Sequence, residues 1–191
     1  MTRIALLRHF PTAWNRERRL QGQADIPLSE DARTQLTGLH MPAPWDRARI
    51  VASPLIRAAE TARLLSGGRA IALDARLVEI SWGDWEGRLA EELLADPHIG
   101  FRPTHEWTGD DRAPGGESPD EALTRALPTL AEIASAGSDT VVVTHKALMR
   151  LILRRAGVAQ PEIKRGRLYP LSVGRDGALT NPGDPVRLVP R

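Results

Sequence analysis

Leu7-Arg8-His9-Phe10-Pro11-Thr12-Ala13-Trp14-Asn15 decides the fold, because it sets an arginine, a histidine and an asparagine just past a short apolar run, Ile4-Ala5-Leu6-Leu7. Four consecutive apolar residues followed by turn chemistry read as a buried central strand. Pro11 cannot donate to a sheet ladder and Thr12 is a good helix cap, so the chain is expected to turn into a helix soon after His9. In an open α/β sheet, polar groups at such a strand end are where ligands bind. The pair Arg8-His9 alone is weak evidence, since 24 arginines and 5 histidines make the dipeptide close to a chance event.

Working outward, Gln21 to Leu28 reads as a loop returning to a helix that Ser29 caps, with Glu30 and Asp31 in its first turn, running to about His40. Met41-Pro42-Ala43-Pro44 crosses to a second strand, Ile50-Val51-Ala52, whose end leads into a helix from Leu55 to Leu65 stopped by Gly67 and Gly68. Ala70 to Leu77 is expected to be a third strand, with Glu79 directly after it. Residues 97–118 show no period and read as a long excursion over the surface, a segment type that is usually functional or mobile. Ser118 caps a helix to about Ala136. The β-branched run Thr140-Val141-Val142-Val143 is a strand with His145 at its end, and the helix Ala147 to Arg155 begins directly after it. Tyr169 to Val173 and Ala178 to Thr180 are expected to form an edge hairpin, followed by a loosely held tail, 184–191. Alternating strands and helices predict an α/β protein, a three-layer α/β/α sandwich on a mostly parallel sheet, in one domain over 1–191.

Composition excludes several classes. With no Cys among 191 residues there are no disulfides, no thiol catalysis and no Cys-bound zinc, which suits a cytoplasmic setting. Arg3 and Arg8 bracket four apolar residues, far short of a secretory or membrane-spanning segment. The net charge is only +2 with acidic residues interspersed, so no nucleic-acid partner and no membrane partner are expected. The histidines lack metal-ligand spacing, and neither a phosphate-binding P-loop nor a G-x-G-x-x-G run occurs, so no metal or nucleotide cofactor is implied.

Four further segments complete a series: Ser53-Pro54-Leu55-Ile56-Arg57-Ala58-Ala59-Glu60-Thr61-Ala62, Leu77 to Gly87 with Glu79 and Glu86, Pro114-Gly115-Gly116-Glu117-Ser118, and Val143-Thr144-His145. Five matches in the right order resemble the histidine phosphatase superfamily, branch 1, which also holds the cofactor-dependent phosphoglycerate mutases. The resemblance runs from Ile4 to about Arg150. It departs at Phe10 and Pro11, where Gly-Glu is usual, and at Lys146, where Gly commonly follows the second histidine. It implies a phosphoglycerate mutase-like fold with a substrate-covering insertion at about 97–118.

A phosphomonoester is close to a dianion at neutral pH, so its site needs permanent cations and an unprotonated nucleophile. Arg8 and Arg57 are read as the phosphate forks, with Asn15 and His145 as further donors. His9 is read as the nucleophile, kept neutral by the two arginines, and Glu79 as the proton donor to the leaving group. Gln21, Gln23, Phe10 and His105 are candidate substrate contacts. Glu86 and Glu117 are read as loop ties, and Trp14, Trp82 and Trp85 as packing. A surface ion pair with Glu60 is the competing reading of Arg57. The expected activity is metal-independent hydrolysis of a small phosphate ester, with no cofactor, by a monomer or homodimer. The alternatives are a phosphoglycerate mutase, disfavoured by the short excursion and the few residues after Thr180, and a non-catalytic phosphate-binding module suggested by Phe10 and Pro11.

Overall fold

The computed structural model describes residues 2–103, 106–174 and 177–191. Ile4–Arg8 forms β1 and leads into a short helix α1 (Ala13–Arg16). Thr12 and Asn15 there make reciprocal side-chain to backbone bonds that satisfy two otherwise orphaned amides. Then come α2 (Glu30–Thr37), β2 (Leu39–His40), β3 (Arg49–Ala52), α3 (Ile56–Leu65), β4 (Ala72–Leu73) and 3-10 turns at Ala75–Leu77 and Gly83–Trp85. The chain continues through α4 (Ala90–Ala95), α5 (Pro119–Ser135), β5 (Thr140–Thr144), α6 (Lys146–Arg155), β6 (Arg167–Val173), β7 (Leu179–Thr180), β8 (Val186–Arg187) and β9 (Val189–Pro190).

The main sheet runs β4-β3-β5-β1-β6-β7. β4, β3, β5 and β1 are mutually parallel, and β6 returns antiparallel to β1. Side chains alternate between its two faces. Ile4 and Leu6 of β1, Val51 of β3 and Val142 of β5 pack with Ala122, Ala126, Leu148 and Ile152 of α5 and α6. Ala5, Leu7, Ile50, Val141 and Val143 face Ala32 and Leu36 of α2 and Ala58 and Ala62 of α3. Both faces are covered, which is why these strands read as unbroken apolar runs. β1 and β5 are neighbours whose connections leave on opposite faces, and that switch opens a crevice at their carboxyl ends.

Three expectations need correction. The helix predicted to reach His40 stops at Thr37, because Leu39 and His40 enter a two-stranded ladder with Val189 and Pro190. The tail is therefore not loose: β8 pairs with β6, β9 with β2, and Leu188 between them is buried. The strand predicted over Ala70 to Leu77 shrinks to two residues, since Asp74 accepts the Arg76 amide at 2.8 Å and turns the chain into a 3-10 helix. Helix α4 is one the sequence reading did not contain. The excursion after it is pinned rather than adrift: Trp107 is buried against Trp82 with ring centroids 5.1 Å apart, and its indole donates to the Arg102 carbonyl.

Candidate active site

Three of the four parallel strands deliver one part of the site each. His9 follows β1, Ser53 follows β3, and His145 follows β5 as the residue capping α6. The His9 amide donates to the Thr144 carbonyl at 2.9 Å, locking the β1 and β5 ends together. The rings of His9 and His145 lie 5.2 Å apart, tilted by 53°, and both are almost wholly buried.

His9 Nδ1 lies 2.7 Å from the Phe10 carbonyl oxygen. A carbonyl only accepts, so Nδ1 carries the proton and Nε2 keeps a bare lone pair. Burial, then the charges of Arg57 and Arg8, hold His9 well below the usual histidine range. The same burial, with Arg57, His9, Arg125 and Arg8 around it, holds His145 low as well. His145 Nε2 is 2.8 Å from Ser53 Oγ, and its buried Nδ1 has no partner among the described residues.

Arg57 is fully buried and does not pair with Glu60, which takes Arg33 and the Leu28 amide instead. Its Nη atoms donate to the carbonyls of Gly22 and Ala24, leaving Nε unpartnered among the described residues. Arg57 thus lies behind the 22–24 loop rather than in the open cleft, while remaining the cation that acts most on both histidines. The loop itself hangs on Glu86, which accepts the amides of Gly22, Gln23 and Ala24. Only glycine fits at position 22: a Cβ there would stand 2.5 Å from the Ile80 carbonyl.

Glu79 is buried at the amino end of α6. Its Oε1 accepts the amides of Ile80 and Leu148, and its Oε2 accepts that of Ala147 at 3.0 Å. Among the described residues Oε2 therefore keeps one position open. The Glu79 carbonyl is held by Gln23 Nε2 and by Arg125, which also forms a bidentate pair with Glu117.

Arg8, His9, Asn15, Gln21 and Glu79 face a common cleft of about 560 Å³. Arg18, Arg19, Lys146, Arg150 and Arg165 also line it, so six cationic side chains meet one carboxylate among the described residues. Burial, then Arg165, pulls Arg8 down to about 9, which leaves it charged at neutral pH. Gln21 Oε1 accepts from Thr12 and Asn15, and its buried Nε2 has no partner among the described residues. A buried donor left unpaired is costly unless a ligand takes it.

The profile of the histidine phosphatase superfamily, branch 1, matches residues 4–175. The chain belongs to this superfamily. It is 36% identical to the probable phosphoglycerate mutase GpmB of Enterobacter sp. (strain 638) over 92% of this chain and 84% of that protein. A mycobacterial glucosyl-3-phosphoglycerate phosphatase, solved with VO3, is 29% identical with a TM-score of 0.75 over 90% of this chain and 93% of that one. A structure from Thermus thermophilus is 30% identical with a TM-score of 0.70 over 98% and 99% of the two chains. The superfamily assignment carries the α/β sandwich and a phosphatase or mutase type of chemistry.

As a histidine phosphatase superfamily member, the protein gathers Arg8, His9, Asn15, Gln21, Glu79 and His145 around the crevice, with Arg57 behind it. Two expected substrate contacts lie elsewhere. Phe10 is 1% exposed and packs in the core beside Leu7 and Leu28, because its amide is drawn to Thr61 Oγ1. Gln23 is spent on the Glu79 carbonyl. His105 lies outside the described residues. Among those residues Arg18 is the one non-glycine with positive φ, so Phe10 needs no glycine-like backbone. Phe10 is absorbed by the core, while Pro11 stays half-buried. The sequence reading missed Arg165, whose Nη2 holds Asn15 Oδ1 at 2.8 Å, and the role of Ser53. Ser53 was visible inside the second segment; Arg165 had no motif to separate it from the other arginines.

Proposed function

We propose that the protein is a phosphomonoesterase that works through a phosphohistidine on His9. The observation that carries this reading is the bond from His9 Nδ1 to the Phe10 carbonyl, which leaves Nε2 free in a ring that burial and two arginines keep neutral. Nε2 attacks phosphorus in line and the ester P–O bond breaks. The proton for the departing alkoxide comes from Glu79 Oε2, the carboxyl oxygen with an open position. The three phosphoryl oxygens gain charge against Arg8, His145 and the amides of Asn15 and Gln21, with the charge of Arg57 acting from behind the 22–24 loop. Water then attacks the phosphohistidine, the P–N bond breaks, and Glu79 takes back the proton. A cleft with six cations repels a divalent metal, so the charge is met by side chains alone.

The resemblance to a probable phosphoglycerate mutase supports a second reading, in which the phosphoryl group returns to a bound product. One experiment separates the two. In a rapid acid-free quench with a radiolabelled alkyl phosphate and EDTA present, the label is expected on His9, with inorganic phosphate released on every turnover. Label on His9 without phosphate release means a mutase, and no label on any histidine discards the phosphohistidine altogether. Glu79→Gln should slow alkyl phosphates by about 10²- to 10⁴-fold while sparing nitrophenyl phosphate, whose leaving group needs little proton help. Equal losses on both would reduce Glu79 to a support for α6.

A further inference from the structure

We infer that Lys146 is a covalent-modification site, whose amine forms a reversible imine with an aldehyde that carries a phosphate, the phosphate being held by Arg8 and His145 in the same cleft. The inference rests on the reading that this cleft receives a phosphoryl group at His9. The chain has two lysines against 24 arginines. Lys146 stands where the superfamily commonly has Gly, so the amine belongs to this chain rather than to the shared site.

Its surroundings favour a reactive amine. Lys146 directly follows His145, opens α6, and lines the cleft of about 560 Å³ together with Arg8 and His9. Its side chain stays open to the cleft and has no hydrogen-bond or ion-pair partner among the described residues. Glu79, the one carboxylate lining the cleft among those residues, spends its oxygens on the amides of Ile80, Ala147 and Leu148 instead. The positive end of the helix dipole disfavours an ammonium at the first position of α6 and spares a neutral amine. Partial loss of water, then the charges of Arg8, Arg150 and Arg165, pull Lys146 below the ordinary lysine value, with Glu79 acting the other way. A lysine crowded by cations and short of water is activated as a nucleophile, whereas an arginine there would stay charged and inert.

The step balances without a further reagent. Nζ attacks the carbonyl carbon, the carbinolamine loses water, and a C=N bond replaces C=O; hydrolysis reverses it. The adduct occupies the cleft that leads to His9, so turnover stops for as long as the imine lasts. Lys164 is the internal reference, being exposed, paired with Glu162 at 3.0 Å and absent from the cleft lining.

The test treats wild type with pyridoxal 5′-phosphate, traps the imine with borohydride and locates the label by mass spectrometry of peptides. His9→Ala, which on the proposed mechanism cannot cleave the reagent's ester, is treated alongside. In both proteins Lys146 should be labelled at least tenfold faster than Lys164. In wild type, vanadate should slow labelling of Lys146 alone, and pyridoxal without its phosphate should label Lys146 at least tenfold more slowly. Nitrophenyl phosphate turnover should fall in step with the label, and Lys146→Arg, which keeps the charge, should lose this time-dependent inhibition. Equal labelling of the two lysines, or none on either, would overturn the modification site. Label on Lys146 that neither vanadate nor removal of the phosphate changes would overturn the phosphate-held aldehyde. Turnover by untreated protein reports on the phosphatase reading separately: failed labelling with normal turnover strikes this inference alone, and selective labelling without turnover strikes that reading alone.

Discussion

β1 and β5 lie side by side in parallel, and each ends in a buried histidine, yet the two ends are wired differently. His9 gives its Nδ1 proton to a backbone carbonyl, an obligate acceptor, so its tautomer is fixed before substrate arrives. His145 meets the Ser53 hydroxyl, which can give or take a proton, so its tautomer can follow what enters the cleft. A nucleophile needs one bare nitrogen at all times; a donor to a phosphoryl oxygen needs a proton it can present late. On the proposed mechanism, the pairing of each ring separates the attacking histidine from the stabilising one. Burial and arginine charge, which act on both, do not separate them.

The widest break in that comparison is chemical. His9→Ala should lower turnover roughly 10⁴-fold or more, as loss of a nucleophile does. His145→Asn should cost about 10²- to 10³-fold, the scale for one lost transition-state donor, and should still accumulate label on His9 in a quenched reaction. Label on His145 in the His9 variant, or equal losses for the two substitutions, would erase the distinction between the strand ends.

A gentler change sharpens it. Ser53→Ala should cost less than about tenfold, near the 0.5 to 1.5 kcal/mol of a single neutral hydrogen bond, and should fall on His145 alone. The signature is a changed His145 imidazole nitrogen shift in NMR with His9 unmoved. A matching change at His9 would show that the two tautomers are coupled.

A further effect is thermodynamic and lies outside catalysis. Both histidines are held neutral in the fold well below their unfolded value near 6.5, so the unfolded state binds more protons as pH drops. Stability should be unaffected by them above that value and should fall below it, down to the folded values, by about 1.4 kcal/mol per pH unit for each histidine. Urea midpoints across pH 7 to 5 check this, and His145→Asn should remove close to half of the slope attributable to the pair. Wild type with no loss of stability below pH 6 would mean that the rings are not held neutral.

Local sequence chemistry determined much of this molecule. The apolar runs of β1, β3 and β5, the caps Thr12, Ser29 and Ser118, and the histidines at two strand ends were all legible, because burial on both faces and capping act over a few residues. The excursion at 97–118 was legible only as a gap in periodicity. Tertiary structure alone decided the rest. The partner of each histidine ring was invisible in sequence, since Ser53 and His145 are 92 positions apart. Phe10 turned inward because Thr61, 51 positions away, draws its amide. The tail was ordered by pairing across the chain with Leu39 and His40. Arg165 reached Asn15 over 150 positions, and no local pattern distinguishes an arginine that closes such a distance from one that stays in water.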